Sequence, residues 1–222
     1  MRVAVVIPAL NEADRIAESV RSAQVPGVEV VVADGGSEDA TCLRAAEAGA
    51  RVVSSSPGRS RQMQDGAKAS DGDVILFLHA DTRLPDGFAD QVRRALEDPA
   101  VAGGAFALRF DESSPALRLV AWGVRVRLAV MALPYGDQAI FLRRSLLESI
   151  GGVPQVAIME DLDLVKRIKE RGRIALLPAS VTTSARRYRE RGTLSTMARN
   201  ALALAAWKLG IDRRRVAAWY RR

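Results

Sequence analysis

Short apolar runs alternate with segments of helical spacing over the first 80 residues, and this alternation is what most constrains the fold. Residues 3–7, 28–32 and 74–78 are continuous apolar runs, which are typical of strands buried on both faces. Apolar residues at intervals of three and four occupy the stretches between them, as expected of helices. The sequence therefore predicts an α/β protein with a mostly parallel central sheet flanked by helices.

The residues between these runs indicate where the first two helices lie. Asn11 is the expected N-cap of a helix that ends before Pro26. Leu43 and Ala46 are expected on the apolar face of a second helix. Both helices are thus predicted to pack against the sheet.

The rhythm changes after residue 100, where strands and helices no longer alternate strictly. The predicted strands cover residues 101–110, 139–142 and 174–177, and the predicted helices cover residues 116–133, 159–170 and 193–209. We see no internal repeat and no interdomain linker. We therefore predict one α/β domain over residues 1–190 and a basic, amphipathic helical C-terminal extension over residues 191–222.

The net charge of +7 is distributed unevenly along the 222 residues. Residues 164–222 contain 16 Lys or Arg and three acids, whereas residues 1–163 carry a net charge of −6. The basic C-terminal quarter indicates a polyanionic partner such as phosphate or lipid headgroups, the alternative being a solvated basic surface. Aromatic residues are not interleaved with the basic run, so we expect no nucleic-acid partner.

The first residues of the chain and its cysteine content are the sequence features that indicate a cellular compartment. The apolar run at residues 3–7 is too short for the core of a signal peptide, and Pro8 interrupts it. The single cysteine, Cys42, excludes an intrachain disulfide. We expect a cytoplasmic protein, with a peripheral position at the inner face of the membrane as the alternative.

Polar clusters directly follow three of the predicted strands, at residues 8–12, 34–37 and 79–82. Because ligands bind at the carboxyl ends of strands in such sheets, we expect these clusters to form one site. Asp34 can accept a hydrogen bond from a ribose hydroxyl, and the glycines after it let a nucleotide approach the backbone. The alternative is a glycine-rich turn whose polar residues cap the next helix.

His79 and Asp81 follow the strongest apolar run of the chain. A carboxylate two positions from an imidazole can hold a divalent cation that bridges two phosphates. Such a cation would neutralise the charge of a departing nucleoside diphosphate. The alternative is that His79, the only histidine, is simply a hydrogen-bonded residue at a strand end.

Three acids, Glu160, Asp161 and Asp163, lie at the start of a predicted helix. The helix dipole stabilises carboxylates there, so a capping role is one interpretation. A carboxylate in this position could instead act as a general base that deprotonates an acceptor hydroxyl.

Together and in order, these segments resemble the inverting family 2 glycosyltransferases with the GT-A fold. The similar segments are residues 6–12 (first strand and nucleotide loop), 34–37 (Asp-Asp-Gly-Ser turn), 79–81 (Asp-x-Asp motif), 136–138 (acceptor-side segment) and 160–161 (Glu-Asp pair). The resemblance covers residues 3–190 and implies a GT-A type nucleotide-diphospho-sugar transferase fold.

The resemblance implies a nucleotide-diphosphate sugar donor, a divalent metal (Mn or Mg) and inversion at the anomeric carbon. By position, Asp161 would be the general base, and Asp81 would bind the metal with His79. The donor-binding residues would be Pro8, Ala9, Leu10, Asn11, Glu12, Asp34, Gly35, Arg59 and Ala80. The residues facing the acceptor or the donor sugar would be Asp137, Gln138 and Glu160, and those stabilising the leaving diphosphate would be Arg186 and Arg187.

This sequence departs from the family pattern at two positions. Gly35 replaces the second Asp of the nucleotide turn, so contacts to the base must be fewer or come from elsewhere. His79 replaces the first Asp of the Asp-x-Asp motif, and a neutral imidazole offsets less charge than a carboxylate. We therefore expect either a weaker metal affinity or a direct contact between His79 and a phosphate. Residues 79–82, 134–138 and 182–187 also resemble a small bacterial subgroup associated with arsenosugar biosynthesis, an association that says little about the substrate.

Three other classes of function are alternatives to sugar transfer. A dinucleotide-dependent oxidoreductase is disfavoured because no G-x-G-x-x-G follows the first strand. A nucleotidyltransferase on a related sheet would share the metal site but would need a nucleoside triphosphate. A degenerate GT-A fold that binds a membrane or another polyanion is the third alternative.

The C-terminal extension raises the question of a membrane. The residues that can share one apolar face of its helix are Leu194, Met197, Ala201, Leu204, Trp207 and Leu209. With the arginines that follow, this pattern fits an interfacial helix on an anionic membrane, and the acceptor would then be lipid-linked. The alternative is a helix packed on the core or on a second copy in a homodimer.

Overall fold

The computed structural model describes residues 1–221, apart from the side chains of Ala129 and Arg221. Eight strands form one mixed sheet in the order β3-β2-β1-β4-β7-β6-β8-β5. The strands are β1 (Val3–Ala9), β2 (Val28–Asp34), β3 (Arg51–Ser54), β4 (Val74–Phe77), β5 (Thr82–Arg83), β6 (Val101–Phe110), β7 (Phe141–Arg143) and β8 (Arg173–Thr183).

Helices flank this sheet on both faces and follow β8 at the C-terminal end. They are α1 (Ile16–Ala23), α2 (Thr41–Glu47), α3 (Arg59–Ala69), α4 (Phe88–Ala95), α5 (Pro115–Met131), α6 (Arg144–Ser149), α7 (Glu160–Lys169), α8 (Arg186–Arg191), α9 (Thr193–Lys208) and α10 (Arg213–Arg221). A single 3₁₀ turn, Gly136–Gln138, precedes β7. The predicted helices at residues 116–133, 159–170 and 193–209 are confirmed within a few residues, whereas α10 was not predicted.

The first half of the sheet is parallel, as the alternation of apolar runs predicts. β1 lies between β2 and β4 and is parallel to both, and β3 extends the parallel set from β2. Val5 and Ile7 of β1 pack into a core on one face, while Ala4 and Val6 pack into a second core on the other. Because both faces are covered, β1 has no polar position, which explains its continuous apolar run.

The second half of the sheet is mixed. β7 is antiparallel to both β4 and β6, whereas β6 and β8 are parallel. The short β5 pairs antiparallel with the end of β8. β8 is much longer than the predicted strand at residues 174–177, and its extra length carries the chain toward the edge where β4 ends.

Two expectations for the first helices are wrong. Asn11 is not an N-cap, because α1 begins only at Ile16 and Asn11 has a positive φ of 54° in the loop before it. Its side-chain oxygen instead accepts a hydrogen bond from the backbone nitrogen of Glu38 (2.9 Å). Leu43 is 62% exposed, because α2 begins at Thr41 and turns Ala45 toward the core.

Helix α9 packs on the domain through a face that overlaps the predicted one only at Leu204 and Trp207, which are half-buried against the core. The inner face of α9 carries Thr196 and Ala203, which are buried, whereas Leu194 and Leu209 are 83% and 77% exposed. Trp207 lies at the border, where its indole nitrogen donates to Asp163 (2.6 Å). No helix within the described residues is long and apolar enough to cross a membrane. Arg222, part of the predicted basic patch, lies outside the described residues.

Candidate active site

A cavity of about 370 Å³ opens next to the end of β4. Seven of the predicted site residues line it: Arg59, His79, Asp81, Asp137, Glu160, Asp161 and Arg187. They come from segments that lie far apart in the sequence. We expected the polar residues at the strand ends and the acids at the helix start to lie in one site. For these seven residues, the structure confirms that expectation.

Gly136 holds Asp161 in place at the wall of this cavity. Its backbone nitrogen donates to Oδ2 of Asp161 (2.7 Å), and the backbone nitrogen of Leu162 donates to Oδ1 (2.9 Å). A Cβ atom on Gly136 would lie 2.8 Å from Nε2 of His79 and 3.0 Å from Oδ2 of Asp161. His79 and Asp161 thus approach the same point, and only glycine leaves room for both.

Asp161 also belongs to a charged group with its neighbour in the sequence and one arginine. Arg59 forms an ion pair with Glu160, and its guanidinium lies 3.7 Å from Oδ2 of Asp161. Burial, followed by the charge of Glu160, raises the pKa of Asp161 above its ordinary value, while Arg59 and the backbone hydrogen bonds oppose the change. Asp161 is therefore a stronger base than an exposed carboxylate.

His79 is uncharged at neutral pH. Burial lowers its pKa well below the ordinary value, and the positive charges of Arg59 and Arg187 lower it further. A neutral imidazole can ligate a metal through its free nitrogen, but it offers no charge to a phosphate. The structure therefore favours a metal ligand over a direct ion pair with the diphosphate.

A divalent metal fits these residues only if the substrate completes its coordination. Within residues 1–221, no cluster of three His, Cys, Asp or Glu side chains could hold a metal ion by itself. His79 and Asp81 would provide two ligands, and Mg²⁺ or Mn²⁺ sites of this kind take further oxygens from substrate phosphates. Asp137 contributes a further acceptor, because its Oδ1 is buried without a hydrogen-bond partner in the described part of the chain. Such an unpaired atom in a cavity indicates a ligand that supplies the missing donor.

Gln138 does not face the donor or the acceptor, contrary to expectation. It is completely buried and lies outside the cavity lining. Its amide nitrogen donates to the backbone oxygen of Phe106 (2.9 Å), and its oxygen accepts from Tyr135 (3.1 Å) and Arg127 (3.0 Å). Gln138 is therefore a structural residue that fixes the turn bearing Gly136 and Asp137.

The loops predicted to bind the donor lie beside the cavity and outside its lining. The residues concerned are Pro8, Ala9, Leu10, Asn11, Glu12, Asp34, Gly35 and Ala80. The backbone nitrogens of Asn11 and Glu12 donate to hydroxyl oxygens of Ser37 (2.9 Å) and Thr41 (2.8 Å), which joins the loop after β1 to the loop after β2. Donor binding by these loops remains a prediction.

Asp34 is almost buried at the end of β2. One carboxylate oxygen accepts hydrogen bonds from the backbone nitrogens of Gly36 and Ser37, both at 2.9 Å. Although burial opposes it, hydrogen bonding to Ser37 and Gly36 lowers the pKa of Asp34. The carboxylate is ionised and oriented, which suits an acceptor for a ribose or base donor.

Gly35 has a structural reason to differ from the family's second Asp. A Cβ atom there would lie 2.9 Å from the amide nitrogen of Gln62. That nitrogen donates to the backbone oxygens of Ala9 (2.6 Å) and Ala33 (3.0 Å), so Gln62 cannot move aside without losing both bonds. Gln62 thus occupies the space that a side chain at position 35 would need.

The two predicted diphosphate-stabilising arginines lie in different places. Arg187 lines the cavity, whereas Arg186 pairs with Glu12 at 3.1 Å. Of the two arginines, Arg187 is therefore the one nearer to a ligand in the cavity.

Ala80 is nearly buried, and its backbone oxygen accepts a hydrogen bond from the hydroxyl of Ser19 (2.7 Å).

The C-terminal extension contributes cavity residues that the motifs do not predict. These are Thr196, Asn200, Ala203 and Tyr220, and Tyr188 of α8 joins them just before the extension. The hydroxyl of Tyr220 donates to Asn200 (2.6 Å), and Arg187 donates to that hydroxyl at 3.4 Å. One signal was present in the sequence, because Thr196 and Asn200 are polar residues four apart and therefore share one face of the helix.

The sequence is similar to those of known glycosyltransferases. The model of the family Glycosyl transferase family 2 matches residues 4–145, more than half of the chain. Glucosyl-3-phosphoglycerate synthase of Mycolicibacterium paratuberculosis is 28% identical over 241 residues, which cover 94% of this chain and 73% of that protein. The protein of the same name from Mycolicibacterium smegmatis is 36% identical over 97 residues, or 38% of this chain and 32% of that protein.

Solved structures extend the similarity to the whole fold. Glucosyl-3-phosphoglycerate synthase from Mycobacterium tuberculosis in complex with Mn²⁺ and UDP-glucose is 26% identical, with a TM-score of 0.65 over 94% of this chain and 79% of that one. The structure of the same enzyme in complex with Mn²⁺, UDP and glucosyl-3-phosphoglycerate is 25% identical to this chain, with a TM-score of 0.66. The match covers 94% of this chain and 80% of that one. The predicted GT-A fold is thus confirmed, and the chain is a glycosyltransferase that belongs to glycosyl transferase family 2.

Proposed function

We propose that the protein transfers a sugar from a nucleotide-diphosphate sugar to an acceptor hydroxyl, with metal assistance and with inversion at the anomeric carbon. The observation that carries this proposal is the hydrogen bond from Gly136 to Asp161, which holds a basic carboxylate in the same cavity as His79 and Asp81. The complexes of the mycobacterial relative with Mn²⁺, UDP-glucose and phosphoglyceric acid support both the metal and the type of donor.

His79 and Asp81 are the proposed metal ligands. When bound, Mn²⁺ or Mg²⁺ would supply positive charge to the diphosphate as it leaves. Asp81 would contribute one negative charge to the metal, and the neutral His79 would contribute a nitrogen. Arg187, which also lines the cavity, would stabilise the leaving diphosphate by direct charge.

Asp161 is the proposed general base. Its carboxylate takes the proton of the acceptor hydroxyl while the hydroxyl oxygen forms a bond to the anomeric carbon. The bond between that carbon and the diphosphate oxygen breaks at the same time, and its electron pair leaves with the diphosphate. Both oxygens of Asp161 already accept a backbone hydrogen bond, which fixes their direction and leaves a lone pair for the acceptor.

Donor recognition is assigned to two regions. Asp34 and the loop from Pro8 to Glu12 would bind the nucleoside, with Gly35 leaving the backbone accessible to it. Asp137 would accept a hydrogen bond from a hydroxyl of the donor sugar through its unpaired Oδ1. Glu160 acts on Arg59 in this scheme, which keeps the arginine beside the donor.

A lipid-linked hydroxyl compound is the acceptor class that we propose. The inner face of α9 lines the cavity, and its outer face exposes apolar side chains such as Leu194 and Leu202. The resemblance to the arsenosugar subgroup supports no substrate more specific than a sugar.

The test is a turnover assay with Mn²⁺ that compares UDP-glucose, other nucleotide sugars and nucleoside triphosphates, with acceptor extracts as the second substrate. We expect release of nucleoside diphosphate from one nucleotide sugar and no reaction of triphosphates. Proton NMR of the product should show an anomeric configuration opposite to that of the donor. Consumption of triphosphates alone would refute sugar transfer, and a retained configuration would refute the assignment of Asp161 as an inverting base.

A further inference from the structure

The outer faces of α5 and α9, two helices in contact with each other, are apolar. On α5, Leu119, Trp122, Val126 and Val130 are 58%, 61%, 41% and 78% exposed. Their spacing of three or four residues puts them on one stripe of the helix. The opposite side of α5, which includes Leu117, Val120 and Leu128, faces the core.

α9 continues this surface. Its exposed large side chains are Leu194, Met197 and Leu202, with exposed alanines between them, and Leu209 follows its end. We define the α5/α9 face as Leu119, Trp122, Val126, Val130, Leu194 and Leu202. Contiguous apolar surface of this kind on a folded protein marks a site of interaction with a membrane or another macromolecule.

The charged residues on α5 and α9 themselves are all basic, and the exposed acids beside them include Glu112 before α5 and Asp212 before α10. Neither residues 115–131 nor residues 193–208 contain an acidic residue. Exposed Arg118 and Arg125 flank the stripe on α5, and Lys208 lies at the end of α9. On α10, which packs against α9, Arg214 and Arg215 are exposed as well. The partner must therefore accept apolar side chains at its centre and positive charges around them.

We infer that the α5/α9 face binds the surface of an anionic lipid bilayer. Leucine, valine and tryptophan side chains would enter the boundary between headgroups and acyl chains, and the surrounding basic residues would pair with anionic headgroups. A second copy of the chain fits less well. A two-fold dimer on this face would bring the same basic residues together without any acid from α5 or α9 to pair with them.

Docking by this face would bring the active-site cavity close to the membrane. Thr196, Asn200 and Ala203 on the inner side of α9 line the cavity, one helix diameter from the docked side. An acceptor hydroxyl carried by a lipid would then reach Asp161 from the bilayer surface. The acceptor part of this inference rests on the proposed function, whereas membrane binding itself does not.

The test is co-sedimentation of the full-length protein with vesicles of phosphatidylcholine alone or of phosphatidylcholine mixed with phosphatidylglycerol. We expect binding to the mixed vesicles only, with weaker binding as salt is raised because salt screens the headgroup charge. Absence of binding to the mixed vesicles at low salt would overturn the inference. Release of nucleoside diphosphate is measured without vesicles on the same samples, so that failure of the proposed function is seen separately.

Matched variants locate the binding surface. Trp122→Glu should weaken vesicle binding by at least roughly tenfold, since it removes a large aromatic side chain that would enter the bilayer and adds a charge that anionic headgroups repel. Leu43→Glu is its control, because Leu43 is 62% exposed on α2. Arg125→Gln should weaken binding about fivefold, the effect of one basic residue near an anionic surface, whereas Arg94→Gln on α4 should leave binding unchanged.

Two results would contradict the assignment of this surface. One is equal loss of binding in Trp122→Glu and Leu43→Glu, which would show that the α5/α9 face is not the contact. The other is a wild-type dimer in sedimentation equilibrium that Trp122→Glu converts to a monomer, which would identify a second copy as the occupant. A monomeric wild type that binds mixed vesicles through Trp122 supports the inference.

Discussion

The backbone nitrogen of Gly136 donates a 2.7 Å hydrogen bond to Oδ2 of Asp161, although 25 residues separate the two in the sequence. This bond ties the turn before β7 to the first turn of α7. Because a Cβ atom on residue 136 would lie within 3.0 Å of both His79 and Asp161, the contact has no tolerance for a larger residue.

Gly136→Ala should lower kcat by roughly 100-fold, since the added methyl group would push His79 and Asp161 apart and small displacements of catalytic groups have effects of that size. Steady-state kinetics with the preferred nucleotide sugar measure the loss. Gly123→Ala on α5 is the control, because a Cβ atom at Gly123 meets nothing within 4 Å. That variant should keep full activity and gain about 0.5–1 kcal/mol of stability. Equal activities of the two variants would contradict the role given to Gly136.

Asp161→Asn should lower kcat by roughly 10²- to 10⁴-fold while the dissociation constant of the donor changes little. An amide cannot take the acceptor proton, yet it has nearly the same shape as the carboxylate. Stopped-time assays of product formation, together with calorimetry of donor binding, separate the two effects. Full activity of this variant would remove Asp161 from the mechanism.

The acidic limb of the pH profile should report the raised pKa of Asp161. A general base acts only when it is deprotonated, so kcat/KM should fall as the pH drops through this pKa. The midpoint should lie above about 3.9, the ordinary value for an aspartate. Measurement over the acidic range at saturating metal tests this, and the residual activity of Asp161→Asn should lack the same limb. A midpoint at or below the ordinary value would contradict the assignment.

Asp81→Ala should abolish the metal-dependent part of donor binding, because it removes the only negatively charged ligand proposed for the metal. Calorimetric titration of UDP-glucose with and without Mn²⁺ gives the two affinities. Asp86→Ala, an exposed acid five residues later, is the control and should behave like the wild type. Chelation of the metal by EDTA should reduce the activity of the wild type and of the control alike.

Gln138→Leu should destabilise the protein by about 2–3 kcal/mol, since its three partners would each lose a hydrogen bond in a buried environment. Thermal unfolding measures this change. Met63→Leu, a volume-conserving change at another buried site, is the control, with an expected cost below about 1.5 kcal/mol. A variant with native stability but no donor binding would restore Gln138 to the ligand site.

The sequence predicted the first half of the fold well because each of its parallel strands is buried on both faces. Residues 3–7 and 74–78 are therefore apolar throughout. This pattern can be recognised without knowing which strands lie next to them. Asn11 and Leu43 were misjudged because their environment is set by contacts across the chain. The side chain of Asn11 binds Glu38, 27 residues away, and no local spacing reveals such a bond.

Some residues of the candidate site could likewise be recognised from the local sequence, whereas others depend on contacts between distant segments. Asp81 and Asp161 were found because an acid directly after a strand or at the start of a helix stands out in the sequence. Gln138 was placed at the ligand because it stands beside Asp137 in the segment that resembles the acceptor-side segment of the family. In a 3₁₀ turn, however, successive side chains point in directions about a third of a turn apart, so the next residue faces the core. Tyr220 was missed because α10 must first fold back on α9 before it reaches the cavity.

Helix α3 contacts both halves of the active site within one turn. Arg59, its first residue, forms the ion pair with Glu160, and Gln62, three residues later, donates to the backbone at the ends of β1 and β2. A helix turn is much stiffer than the loops that carry the donor and catalytic groups. In the proposed mechanism, the distance between the nucleoside loops and Asp161 is therefore set by a rigid spacer, and a shift of α3 along its axis would move both by the same amount. Changes at the far end of α3 could thus alter catalysis without touching a substrate atom.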